Sequence, residues 1–174
     1  VTDDPIVIAS SLSGSYATGA AGDGDVSELV LVSPTATTLP RNVFVRELFA
    51  SPIIGTALFN VLVSRPSLRL FNRKEAYSSS DPIDEELLAY QSQTSHQPNA
   101  NIAPASFLGG YLGLDIDLGS ALRELDVPVT LIWGRAASRP SLAEGRDLAE
   151  QADCRLVTSE NAKLLPHDQY PEEF

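Results

Sequence analysis

A serine at the junction of a predicted strand and a predicted helix is the residue best suited to nucleophilic chemistry. Residues 6–9 form an apolar run of strand character, and the segment that follows is compatible with a helix. Ser11 lies at the apex of the turn, with the small residues Ala9 and Ser13 two positions to either side. A tight strand-to-helix turn has no room for bulky side chains at those positions, and it exposes the hydroxyl at its apex. The pattern predicts that Ser11 is a nucleophile.

The same turn places a hydrogen-bond donor beside the predicted nucleophile. The backbone N–H of Leu12 lies at the start of the helix, where the helix dipole is positive, so it is suited to stabilise an oxyanion. The alternative is that Ser11 only caps the helix, which is the usual role of a serine in a strand-to-helix loop. The motif alone leaves both interpretations open.

Other groups that could take part in catalysis are few. A serine hydroxyl is almost never ionised at neutral pH, so Ser11 needs a base, and His167 is the candidate, with Asp168 or Asp115 to orient it. The alternative is that His167 is a loop histidine facing solvent. His96 either contacts substrate or caps the end of a helix. The two histidines and one cysteine have no metal-ligand spacing, and no glycine-rich loop is followed by lysine, so we expect no metal and no other cofactor.

The composition is that of a folded, strongly acidic protein. The chain has 174 residues, 43% hydrophobic and 20% charged, and its net charge is −11. This charge disfavours binding to nucleic acid or to an anionic membrane. Only Lys74 and Lys163 are lysines, and acid-rich, lysine-poor sequences are typical of high-salt cytoplasms. We expect a halophilic source; the alternative is an ordinary acidic protein.

Targeting and redox signals are absent from the sequence. No apolar run approaches the roughly 18 residues needed to cross a bilayer, and no signal peptide is visible, so we expect no membrane span and a cytoplasmic location. The single cysteine, Cys154, lies in a predicted strand and is interpreted as a small core residue. The chain contains no Met and begins with Val1, so we expect a segment of a longer protein.

Three segments with different patterns predict an α/β protein. Residues 1–34 hold two apolar strands around a helix, residues 35–126 are helical, and residues 127–174 return to strand, helix and strand. Strand–helix–strand order implies parallel strands, so we expect a sheet of about four strands with a helical lid inserted over residues 35–126. One helix of the lid is expected to begin at Asp81-Pro82. The expected strand order in the sheet is that of the chain, with strands at Ile6, Leu29, Val129 and Arg155.

Three landmarks together resemble the α/β-hydrolase superfamily, in its lidded esterase, lipase and dehalogenase-like branch. They are the Ala-Ser-Ser-Leu-Ser turn at residues 9–13, the strand and loop at residues 127–135, and the ending Leu-Pro-His-Asp-Gln-Tyr-Pro-Glu-Glu-Phe at residues 165–174. The resemblance covers the whole chain. It implies that the chain begins at about the fifth of eight strands, without the loop that supplies the other oxyanion donor, and we therefore expect residues 1–174 alone to be inactive.

The resemblance also implies roles for single residues. Ser11 corresponds to the family nucleophile and the Leu12 N–H to its oxyanion donor. The position of the family's catalytic acid is Ala137, the position of its histidine is Leu164, and His167 follows three residues later. The implied function is that of a serine hydrolase that acts on a carboxylic ester or related acyl substrate under the lid. The implied partner is therefore a small apolar or ester-type ligand. The alternative is a catalytically degenerate member that binds a small apolar ligand or a partner there.

Overall fold

Four parallel strands form the sheet of the protein, in a computed structural model that describes residues 5–24, 26–36, 39–78 and 84–174. The strands are β1 (Ile6–Ser10), β2 (Glu28–Val32), β3 (Val129–Gly134) and β4 (Arg155–Ser159). They lie in the order β1-β2-β3-β4, all parallel. The predicted α/β fold and strand order are therefore confirmed, and each strand agrees with its predicted position to within one residue at either end.

Helices connect these strands and fill the long interval between β2 and β3. Outside that interval lie α1 (Ser13–Asp23), α8 (Leu142–Ala152) and the short α9 (Pro166–Gln169). Within it lie α2 (Val43–Ala50), α3 (Ile54–Leu62), α4 (Arg65–Phe71), a π-helical turn (Asn72–Ala76), α5 (Glu85–Ser95), α6 (Ile102–Leu108) and α7 (Leu118–Arg123). Every regular element that the structure describes in this interval is helical, as predicted.

The chain forms two compact units. One draws on Val1–Thr37, Glu75–Ser78 and Leu114–Phe174, and the other on Thr38–Lys74 and Ser79–Gly113. Helix α7, which falls within the predicted lid segment, packs against α1 and α8 of the sheet unit. The predicted domain limits at residues 34 and 126 stay a prediction.

The core of the sheet unit lies between the strands and their helices. Leu29, Leu31, Leu131 and Trp133 are all no more than 1% exposed. The Trp133 indole donates its N–H to the carbonyl of Pro140 at 3.1 Å. A Cβ added at Gly145 would lie 2.6 Å from the Trp133 ring, so the glycine lets α8 approach the indole directly. Trp133 is therefore a central residue of this core.

The helical unit has a smaller core of its own. Phe59, Leu88 and Ala105 are buried there, and α2 packs against α3 and α6. The amide of Asn72, which is 1% exposed, donates to Gln91 Oε1 at 2.8 Å. The predicted helix start at Asp81-Pro82 lies outside the described residues.

None of the helices within the described ranges is by itself long and apolar enough to cross a bilayer. The pair α2 and α3 reaches the required length and composition only when taken together, and it is bent by 85°.

Replacing Ser141 with alanine will cost about 1 kcal/mol of stability, because it removes the cap of α8. Ser141 Oγ accepts from the Glu144 N–H at 3.3 Å, and the Glu144 carboxylate accepts from the Ser141 N–H at 2.6 Å. The Ser141 backbone and hydroxyl hydrogen bonds hold the pKa of Glu144 below its ordinary value. A lowered carboxyl pKa stabilises the fold above the unfolded pKa, and this contribution disappears as the pH falls through the folded value.

Urea unfolding of the wild type and of Ser141→Ala at neutral and acidic pH measures this effect. The difference in unfolding free energy between the wild type and Ser141→Ala will narrow as Glu144 becomes protonated. Glu150→Gln, which changes an exposed carboxylate of the same helix outside the cap, is the matched control. A difference that stays constant down to pH 3 would contradict the assignment of the capping interaction to Glu144.

Candidate active site at the carboxyl ends of the strands

Ser11 adopts a backbone conformation that few residues other than glycine tolerate. Strand β1 ends at Ser10, and Ser11 follows with φ of +53°, in the left-handed region that costs a side chain about 1–2 kcal/mol. Two hydrogen bonds hold this turn against the end of β2. The Ser11 N–H donates to the Val32 carbonyl at 2.9 Å, and the Thr35 N–H donates to the Ser11 carbonyl at 3.3 Å. The turn is therefore strained, and hydrogen bonds at both the N–H and the carbonyl of Ser11 hold it in place.

Small residues surround the turn, as its geometry requires. Ala9 is buried, and the Ser13 hydroxyl folds back to donate to the Ser10 carbonyl at 2.6 Å. At Gly14 a Cβ would lie 2.9 Å from the Pro34 Cβ. Larger side chains at these positions would push α1 away from β2 and change the direction of the Ser11 side chain.

The Ser11 hydroxyl does not cap helix α1. Its oxygen shares a hydrogen bond of 3.4 Å with the Thr35 hydroxyl, and the N-cap position of α1 is Leu12, which makes no side-chain cap. Across the part of the chain that the structure describes, the Leu12 N–H has no acceptor. A serine hydroxyl and an open backbone donor therefore lie next to each other at the start of a helix, as an acyl-transfer site needs.

His167 lies in α9, in contact with the end of the chain. Its ring centroid is 5.9 Å from that of Phe174, and its buried Nδ1 has no hydrogen-bond partner within the described ranges. Neither ring nitrogen hydrogen bonds to Ser11, whose hydroxyl pairs with Thr35 instead. In the structure the Ser11 hydroxyl and the Leu12 N–H are neighbours, and His167 makes no hydrogen bond to Ser11.

The Asp168 carboxylate is hydrogen-bonded to a group other than the His167 imidazole. It accepts a hydrogen bond from the Tyr77 hydroxyl. Burial of Tyr77, together with this hydrogen bond and the negative charge of Asp168, raises the pKa of the phenol. Asp115, the other carboxylate considered as an orienting group, is exposed. No oriented acid–histidine pair is formed by His167 with either of them, and its role as a base stays a prediction.

The two loops that carry the family's acid and histidine positions touch each other through their backbones. The Arg135 N–H donates to the Ser159 carbonyl at 2.9 Å, and the Ala136 N–H donates to the Ala162 carbonyl at 3.0 Å. Ala137 is buried in the first loop, and Leu164 lies in the second. Because the carboxyl ends of parallel strands meet at one edge of a sheet, these loops lie at the same edge as Ser11.

A carboxylate that was not predicted as a site residue lies in this region. Glu75 Oε2 accepts a hydrogen bond of 2.6 Å from the Ser138 hydroxyl, one residue after Ala137. Glu75 belongs to the short stretch Glu75–Ser78, which is part of the sheet unit. It is far from Ser138 in the sequence, and no local motif marks it.

The remaining candidates have structural roles. His96 is the C-cap of α5, and its Nδ1 lies 2.6 Å from the Ser92 carbonyl oxygen, so the helix-capping interpretation is confirmed. Cys154 is partly buried, and this burial raises the pKa of its thiol, as a core cysteine requires. Over the described ranges, no group of three or more His, Cys, Asp or Glu side chains is arranged to hold a metal ion.

Comparison with solved structures identifies the fold. The chain is similar to an α/β-hydrolase fold protein from Burkholderia ambifaria (23% identity, TM-score 0.65), over 98% of this chain and 63% of that one. It is similar to a thermophilic esterase from Thermogutta terrifontis (17%, 0.68), over 99% and 62%. It is also similar to the enol-lactonase from Burkholderia xenovorans LB400 (18%, 0.68), over 99% and 63%.

The structural match covers only part of each of these proteins. The chain spans less than two thirds of each of these proteins. No protein-family model matches the sequence, and no curated protein is significantly similar to it. The four parallel strands and their helices match the C-terminal part of the α/β-hydrolase fold, and this is the fold of the chain.

Proposed function

We propose that the protein is a serine hydrolase that acts on a carboxylic ester or a related acyl substrate, with Ser11 as the nucleophile. The observation that carries this proposal is the strained conformation of Ser11, at φ of +53°, directly before an open Leu12 N–H. Strain of this kind persists only where the surrounding structure imposes it, and it concentrates at functional sites. A serine that served only to start a helix would have no need of it.

In this proposal Ser11 Oγ attacks the acyl carbonyl, the acyl C–O bond breaks, and the leaving alkoxide takes up the proton that the base received from Ser11 and departs as the alcohol. Water then attacks the acyl-enzyme, which releases the acid and restores the Ser11 hydroxyl. The developing oxyanion accepts a hydrogen bond from the Leu12 N–H, which costs no reorganisation because this N–H has no acceptor among the described residues. The hydroxyl proton has to pass to a base, and His167 is the candidate residue of this chain. The esterase and the enol-lactonase among the structural neighbours carry names that fit acyl chemistry on this fold.

A second candidate function rests on the residues that surround Ser11. The hydroxyl pairs with Thr35, which is not a base at neutral pH, and the family's acid and histidine positions hold Ala137 and Leu164. These apolar side chains favour a catalytically degenerate member of the fold, which binds a small apolar ligand at this edge of the sheet. The two candidates differ in one measurable property, the reactivity of Ser11.

Labelling with a fluorophosphonate probe separates the two candidates. The protein is used as its gene encodes it, together with Ser11→Ala and with Ser92→Ala, which removes a hydroxyl from α5. We expect labelling of the wild type and of Ser92→Ala, and only background labelling of Ser11→Ala. A wild-type protein that is folded by circular dichroism but stays unlabelled would reject the hydrolase and support the binding function.

A further inference from the structure

The segment that follows β2 is strained in the same way as the turn that carries Ser11. Ser33 directly follows β2 with φ of +41°, in the left-handed region that a side chain occupies only at a cost. Its N–H donates to the Ile132 carbonyl of β3 at 2.9 Å, and the residue is fully buried. Two neighbouring strands are therefore each followed by a strained serine at the same edge of the sheet, and the surrounding structure holds both in place.

This segment leads the chain from the end of β2 to the turn at Ser11. Pro34 is fully buried against α1, where a Cβ added at Gly14 would lie 2.9 Å from the Pro34 Cβ. Thr35 comes next, and both polar groups of its backbone are hydrogen-bonded. Its N–H donates to the Ser11 carbonyl at 3.3 Å, and its carbonyl accepts from the Ser15 hydroxyl at 3.4 Å. The Thr35 backbone is therefore tied both to the turn and to the start of α1.

The Thr35 side chain contacts the proposed nucleophile. Its Oγ1 lies 3.4 Å from Ser11 Oγ, and either hydroxyl can be the donor. Threonine is branched at Cβ and its χ1 angle is stiff, so a fixed backbone also fixes the direction of the hydroxyl. The hydrogen bond is longer than an ordinary O–H···O bond, so Ser11 gives it up at little cost when it reacts.

We propose that Thr35 is a positioning residue, which keeps the Ser11 hydroxyl in the rotamer from which it attacks the acyl carbonyl. This role rests on the proposed hydrolase function. A free serine side chain visits three staggered χ1 wells, and pairing with a fixed hydroxyl selects one of them. Thr35 accepts no proton in the reaction. It holds the attacking oxygen close to its reactive geometry, and loss of that geometry slows the chemical step.

A double-mutant cycle tests the contact in a way that needs no activity. Urea unfolding is measured for the wild type, Ser11→Ala, Thr35→Val and the double variant, each in the protein that the gene encodes. Valine has nearly the shape of threonine and keeps the backbone N–H that donates to Ser11, so the cycle isolates the pair of hydroxyls. We expect a coupling that changes the unfolding equilibrium constant by at least about twofold. Effects that add without any coupling would overturn the proposal.

The rate of fluorophosphonate labelling tests the consequence of the contact. Thr35→Val will be labelled about threefold to tenfold more slowly than the wild type, because Ser11 then divides its time among several rotamers. The loss will fall on the maximal labelling rate and not on the probe concentration that gives half of it. Thr35→Ser keeps the hydroxyl and will recover most of the rate. Thr130→Val is the matched control, since it removes a half-buried threonine hydroxyl that donates to Glu28 near the amino end of β3.

The outcomes separate the positioning role from the hydrolase function. A folded wild type that stays unlabelled rejects the serine hydrolase, and the positioning role with it. A labelled wild type beside an equally fast Thr35→Val protein rejects the positioning role alone. A Thr35→Ser protein as slow as Thr35→Val also rejects it, because the loss then comes from packing of the threonine methyl group and not from the hydroxyl.

Discussion

Replacing Gly134 with alanine will destabilise the protein by about 3 kcal/mol or more, a large share of the stability of an ordinary domain. Gly134 is the last residue of β3, and a Cβ there would lie 1.8 Å from the Lys163 carbonyl oxygen and 2.6 Å from that of Ala162. Both atoms belong to backbone, so no side-chain rotation relieves the clash. The loop after β4 has to move, and with it the Ala136–Ala162 hydrogen bond.

Gly19→Ala is the matched control for this substitution. Gly19 lies within α1, and a Cβ there would meet no atom within 4 Å. Alanine lowers the entropy of the unfolded chain and favours the helix, so this variant will be more stable than the wild type by about 0.5–1 kcal/mol. Urea unfolding of the three proteins measures both changes. A Gly134→Ala protein as stable as the wild type would show that the two loops are not held in contact.

The strands and the turn could be predicted because their signals are local. The apolar, largely β-branched runs at residues 6–9 and 129–133 predict strands, and strand–helix–strand order predicts that these strands are parallel. The small residues around Ser11 predict its turn for the same reason, since a steric requirement acts between close neighbours in sequence. These features are properties of a few consecutive residues, and the structure reproduces them.

The features that the sequence did not reveal depend on distant parts of the chain. Periodicity predicts α3 as an amphipathic helix, but it does not say whether the apolar stripe meets a core or solvent. The hydrogen bond between Ser138 and Glu75 joins segments that no motif connects. The contact between the His167 and Phe174 rings likewise follows from tertiary packing. Contacts of this kind are decided by the whole fold, so residue spacing alone cannot supply them.

The double substitution Ala137→Asp/Leu164→His will raise the reactivity of Ser11 by about 10²-fold or more, the lower end of what general base catalysis contributes. Ser11 follows β1, Ala137 follows β3 and Leu164 follows β4, so all three positions lie at one edge of the sheet. The turn at Ser11 and the open Leu12 N–H are already in place. His167 forms no hydrogen-bonded pair with Asp168 in the structure, and these two positions supply both the base and its orienting acid in the family that the chain resembles.

Neither single substitution will produce this gain. Ala137→Asp leaves a buried carboxylate without a partner, which costs stability, and Leu164→His leaves an imidazole without an acid to fix its tautomer. The effects of the two changes will therefore be strongly non-additive, as expected for residues that act as a unit. Hydrolysis of a p-nitrophenyl ester measures the gain, with Ser11→Ala added to the double variant to define the background. A folded double variant whose activity survives Ser11→Ala, or does not exceed that of the wild type, would show that Ser11 is not positioned as a nucleophile and that the binding function is the better account of this site.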